Sequence, residues 1–166
     1  MPLYQSLYDT AVWIEESAIG TALRESQYAF PLVEAAHLLG LALSFGLVLL
    51  TDLRLTGLLL RGVPLADLLH QLRPWIFSGF ALTFATGGLL FWAEAATLVD
   101  NIPFWFKVAC MAVACVNALF FELRWGHRAE RWADGPVLPA AASRAGWISL
   151  IFWTLATIFG RSIPYY

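Results

Sequence analysis

The chain has 166 residues, 60% of them hydrophobic and 13% charged, with a net charge of -2. Soluble domains carry about 45–50% apolar and about 25% charged residues, so this composition excludes an ordinary soluble protein and a disordered chain, and the lack of a basic excess excludes a nucleic-acid binder. Cys110 and Cys115 fall within one apolar run, too close together to staple distant segments, which excludes a disulfide framework.

The opening segment, from about Leu3 to Leu23, mixes Leu7, Val12 and Ile14 with Asp9, Glu15 and Glu16. It is too polar to cross a bilayer and predicts an amphipathic helix lying on the membrane surface. Its acidic residues, with no basic cluster ahead of them, predict no secretory leader. The chain thus divides into an interfacial unit over 1–28 and a transmembrane unit over 29–166.

A first apolar span runs from about Phe30 to Thr51, with Pro31 in the opening turn, where its missing N–H does no harm. The second runs from about Trp75 to Ala96, the third from about Pro103 to Leu123 and the fourth from about Ala145 to Ile163. Each approaches the roughly 20 residues that cross the hydrocarbon core as helix, and lipid forces the backbone to pair within each segment. The predicted fold is an all-α integral membrane protein, a four-transmembrane-helix bundle with an N-terminal amphipathic surface helix.

Arg54, Arg61 and Arg73 lie between spans one and two, and Arg124, Arg128, Arg131 and Arg144 between spans three and four, whereas the stretch from Glu94 to Ile102 has no Lys or Arg. Positive residues mark cytoplasmic loops, so both termini are expected in the periplasm of a multi-pass protein of the bacterial inner membrane. Trp75, Trp92, Trp105, Trp147, Tyr165 and Tyr166 flank span ends as interfacial belts do.

An ionisable side chain within a span costs about 2.5–3.5 kcal/mol on insertion scales, so each needs a reason. Glu34 and His37 lie on one face near the outer end of span one, Glu94 at the outer end of span two, Lys107 about one turn into span three and Arg161 near the outer end of span four. All four spans thus contribute to one outer layer. Small residues follow His37 along its face, at Gly40 and Ser44, and admit either a partner helix or a flat ligand.

A neutral imidazole suits haem iron, and nearby cations suit its propionates. The expected site is an outer-leaflet pocket for haem b or a quinone-like redox ligand in a membrane electron-transfer component. His37 is the axial or hydrogen-bonding group, Glu34 orients it, Lys107 and Arg161 hold anionic groups, and Glu94 passes protons. Met111, at similar depth, is the candidate second axial ligand, and a five-coordinate iron is the alternative. The competing reading pairs Glu34 with Lys107 and Glu94 with Arg161 to fix helix register in an accessory subunit of a larger membrane complex with no cofactor of its own. Expected partners are membrane lipid and either other membrane subunits or further copies of the chain. Asn117 is expected to hydrogen-bond between helices, the cysteines to fill the core, and His70 and His127 to sit in solvent at the basic surface. No CxxC, HExxH, P-loop or dinucleotide-binding glycine pattern occurs.

The stretches ALRESQYAFPLVEAAHLLGLAL, LRPWIFSGFALTFATGGLLFWAEA, NIPFWFKVACMAVACVNALFF and ISLIFWTLATIFGRSIPYY resemble a bacterial family of uncharacterised four-span inner-membrane proteins across nearly the whole chain. More distantly, AAHLLGLA and FWFKVACMAV are similar to segments of the J-type membrane protoporphyrinogen oxidases, and the chain is similar to the copper-resistance D proteins. The resemblance implies roles for His37 and Lys107 in haem or porphyrin binding. A His that often closes the J-type Lys span has no counterpart here, and Asn117 is the nearest polar group.

Overall fold

A computed structural model describes residues 2–126, 129, 132–133 and 138–166; His127, Arg128 and Arg131, assigned above to a basic surface, lie outside the described residues. The elements are α1 (Pro2–Glu15), α2 (Ala18–Glu25), α3 (Ala29–Leu55), α4 (Leu65–Ala93), α5 (Ala95–Val99), α6 (Ile102–Arg124) and α7 (Ala140–Ser162), closed by a 3-10 turn, Ile163–Tyr165. No strand occurs among the described residues. Four helices, α3, α4, α6 and α7, are long and apolar enough to cross a membrane, which makes this a multi-pass membrane protein.

The spans run alternately up and down. α3 packs on α4, α6 on α7, and α3 on α7, whereas α4 and α6 share no extensive interface. Three buried clusters stack along the bundle. Ala11, Ala95 and Val99 lie at the end nearest the chain termini. Val48, Ala114 and Trp153 form the middle, and Leu55, Leu65 and Ala142 the far end.

The α3–α4 seam shows why small residues recur in the sequence. Without a hydrophobic drive between helices in lipid, close backbone approach supplies the attraction. A Cβ at Gly79 would lie 2.8 Å from the Ser44 amide nitrogen, and one at Gly40 would lie 3.1 Å from the Thr83 nitrogen. The space beside Gly40 and Ser44 is therefore taken by a helix, α4, rather than by a flat ligand.

Two boundaries differ from the sequence reading. α4 starts at Leu65, well before Trp75, because Leu65 is fully buried against the far-end cluster and Pro74 sits inside the helix. The amphipathic segment is two helices. Ser17 breaks it and caps α2, its Oγ accepting from the Gly20 amide at 3.3 Å.

α1 and α2 lie across the terminal end of the bundle and are tied there by polar groups. Glu15 pairs with Arg24 at 2.5 Å and accepts from the Ala96 amide at 2.8 Å, where it caps α5. The Trp92 indole donates to Ser17 Oγ at 2.8 Å, and the Tyr4 hydroxyl donates to Asp100. A hydrogen bond to a charged group contributes about 1.5–3 kcal/mol. Glu15→Ala is accordingly expected to speed hydrogen exchange of the Ala96 amide by roughly tenfold or more; unaltered exchange would mean that Glu15 does not hold α1 on α5.

Candidate functional site

The sequence places its ionisable groups near the end of the bundle that α1 and α2 cover, and of these only His37 and Lys107 are partly buried, whereas Glu34, Glu94 and Arg161 are exposed. α3 presents His37 to α4, where Nδ1 lies 3.0 Å from the Thr83 carbonyl oxygen and 3.1 Å from Thr86 Oγ1. A carbonyl only accepts, so Nδ1 carries the proton. The Thr86 hydroxyl spends its own hydrogen on Leu82 O at 2.6 Å and turns a lone pair to the ring. Nε2 is left with a free lone pair and no hydrogen bond among the described residues. Gly87 makes room for this ring, since a Cβ there would meet His37 Cε1 at 3.1 Å.

Lys107 lies close enough for its charge, like that of Glu34, to act on the imidazole. Its alkyl chain lies along Gly160 of α7, where a Cβ would be 3.4 Å from Cδ and Cε. The side-chain ion pairs among the described residues are Arg24–Glu15 and Arg73–Glu122. Among the described residues Lys107 thus has no carboxylate within ion-pair distance, and neither Glu34 with Lys107 nor Glu94 with Arg161 forms the pair that a register-fixing role needs.

The remaining expected site residues are less closely gathered. Glu34 and Glu94 are exposed but lie within electrostatic reach of one another. Partial desolvation, then the negative charges of Glu15 and Glu34, push the Glu94 carboxyl above the usual carboxylate range. Arg161 is exposed and stacks over the Tyr165 ring, 5.1 Å from its centroid. Met111 packs against the middle core cluster. Asn117 bridges α6 to α7 as expected, its Nδ2 donating to Ala145 O at 2.9 Å. Both cysteines are free thiols, Cys110 buried and Cys115 half-buried, and His70 is exposed.

A cavity of about 510 Å³ occupies the other half of the bundle, and no expected site residue lines it. Its walls are largely aromatic, including Phe77, Phe80, Phe84 and Trp153. Asp52, only 4% exposed, reaches it from α3. One carboxylate oxygen of Asp52, Oδ2, is buried without a hydrogen-bond partner. At the end of the cavity Arg73 bridges α4 to α6, pairing with Glu122 at 3.1 Å and donating to Gly126 O at 3.0 Å.

A family of unknown function (DUF6644) matches residues 11–165. The chain belongs to this family. No curated protein and no solved structure matches it. The DUF6644 match begins within α1 and ends in the closing turn, so it takes in the His37–Lys107 neighbourhood and the Asp52 cavity alike.

Sequence reasoning missed Asp52 in this DUF6644 chain because it stands just past Thr51, at the edge of the apolar run and two residues from Arg54, where a carboxylate reads as solvated. α7 buries it. A Cβ at Gly146 would lie 2.9 Å from Leu55 Cβ and 3.4 Å from Asp52 O, so a glycine lets α7 cross α3 at this depth. The readable signal is the pair Gly146 and Ser149, three apart near the start of the last span, small residues on one helix face at the depth of the carboxylate that follows Thr51.

Proposed function

We propose that the end of the bundle beneath α1 and α2 binds haem b through His37, in a membrane electron-transfer component. The observation that carries this reading is the pinned imidazole. With Nδ1 donating to Thr83 O, His37 has a fixed ring and a fixed tautomer, and Nε2 is left as the free base. Metal-binding histidines are held in the same way, with the second nitrogen donating to a carbonyl or carboxylate.

Lys107 supplies the second requirement. An ammonium within a span and without a counter-ion calls for an anionic partner, and a carboxylate-bearing macrocycle provides one. Arg161 sits at the same end of α7 for a second carboxylate, Glu34 biases the imidazole by its charge, and Glu94 is placed to take up a proton at the exposed edge. His37 would hold the iron through Nε2, and Met111, one turn below Lys107, is the candidate second donor. Haem b supplies one-electron chemistry when bound. The likeness of His37 and Lys107 to the J-type oxidase pair supports the same assignment. On this reading both termini face the periplasm across the inner membrane, and electrons pass to and from partner subunits or the quinone pool.

The test is the absorption spectrum of the detergent-purified protein, oxidised and dithionite-reduced, from cells supplied with haem precursor. Soret and α bands that sharpen on reduction are expected, together with their loss in His37→Ala. A featureless spectrum from the unaltered protein would overturn the haem assignment and turn attention to a quinone-like ligand or to a subunit role without a cofactor.

A further inference from the structure

The cavity in the other half of the bundle shares no residue with the His37 site, and its chemistry is different. Asp52 contributes a carboxylate that is 4% exposed and lines the cavity, with Oδ2 unpartnered; the Ser149 hydroxyl is the polar neighbour on its other side. Burying an unpaired charge is costly, and a partner of opposite charge offsets that cost best. Arg73 does not serve, because its guanidinium is engaged by Glu122 and by Gly126 O.

Arg73 and Glu122 match one another, which leaves Asp52 as the unmatched carboxyl group on the cavity wall among the described residues. An anionic ligand is disfavoured and a cation is welcome. The aromatic lining points the same way. Phe80 and Trp153 lie with ring centroids 4.8 Å apart beside the carboxylate-bearing wall, and Phe84 stacks on Phe80 at 6.0 Å. Ring faces attract cations, most strongly where water is excluded.

The route in is lateral. Phe77, Phe84 and Leu119 line the cavity and are also exposed on the flank of the bundle. This is the flank where α4 and α6 share no extensive interface. Membrane-spanning helices turn that flank to hydrocarbon, so the ligand arrives dissolved in the bilayer. A volume of about 510 Å³ lies in the range of small-molecule sites.

We propose that this cavity binds a lipophilic organic cation, a bilayer-soluble aromatic amine whose protonated nitrogen pairs with Asp52 while its rings lie against Phe80 and Trp153. The full-length protein in lipid nanodiscs is titrated with quinacrine, a fluorescent aromatic amine, with empty nanodiscs as the partition blank. A saturable component above the blank is expected, displaced by dodecylamine and not by dodecanol. Asp52→Asn, nearly isosteric, is expected to weaken it at least tenfold. Ala81→Trp obstructs the flank without touching the carboxylate and is expected to weaken it too; it decides the matter if the Asp52 variant does not fold. Absence of saturation above the blank, or an Asp52→Asn protein that binds quinacrine as tightly as the unaltered one, overturns the proposal. Equal displacement by dodecanol overturns the cation assignment in favour of a neutral amphiphile.

Discussion

Gly79→Val is expected to destabilise the bundle by about 2–3 kcal/mol, the scale of a forced overpacking at a rigid contact. The first atom added at Gly79 meets the Ser44 amide nitrogen at 2.8 Å and its Cα at 3.1 Å. Both are backbone atoms, so no rotamer change relieves the clash and α3 must move away from α4. The loss reaches further than packing, because the Thr83 carbonyl that orients His37 lies one turn along the same seam. Thermal unfolding in detergent should register the drop. Gly46→Ala is the control, since nothing lies within 4 Å of a Cβ there, and it should hold stability or raise it by up to about 1 kcal/mol, as Ala for Gly inside a helix does. Equal tolerance of both would show that close approach at Gly79 does not hold the pair together. Any spectrum found for the unaltered protein should weaken in Gly79→Val even though residue 79 is not among the expected ligand-contacting groups.

The second large effect has the opposite sign. Asp52→Leu is expected to stabilise the protein by about 1–3 kcal/mol, because it removes a buried polar group that lacks a full set of partners and leaves an apolar one beside a cavity with room for it. The carboxylate of Glu122 lines the same cavity and behaves differently. It holds Arg73 at 3.1 Å, so Glu122→Ala strands a guanidinium between α4 and α6 and lowers stability. Measured side by side by thermal unfolding, the two substitutions should move the midpoint in opposite directions. A fall on Asp52→Leu as large as that on Glu122→Ala would mean that Asp52 is structurally paired, and its role as the anchor of a ligand would lose its basis. A residue that costs stability where it stands is one that function retains.

Much of this architecture is legible in the sequence, and the misses have physical causes. Hydropathy alone reveals four spans because hydrocarbon imposes a length and an internal hydrogen-bonding pattern on each. It fails at the start of α4, where Asp67, His70 and Arg73 dilute the apolar signal while Leu65 buries itself in the far-end cluster. Ser17 as a cap was readable from its residue type, and the break between α1 and α2 could have been drawn there. The shared depth of His37 and Lys107 at one end of the bundle follows from counting turns, but the absence of the Glu34–Lys107 pair does not, since helix rotation decides it. Asp52 is the deepest miss. Its burial is a property of α7, nearly a hundred residues later in the chain, where Gly146 permits a close crossing.

The docking of α1 carries a consequence for biosynthesis. Glu15 reaches the Ala96 amide across 81 positions of sequence, and Tyr4 reaches Asp100 across 96. Neither partner exists when the N-terminal helices leave the ribosome. α1 and α2 must wait at the bilayer surface until two spans have been inserted and α5 has turned back toward them, so these helices are made well before they can be seated. An amphipathic face suits that interval, because lipid headgroups and the upper acyl region shelter its apolar residues while their final partners are still being synthesised.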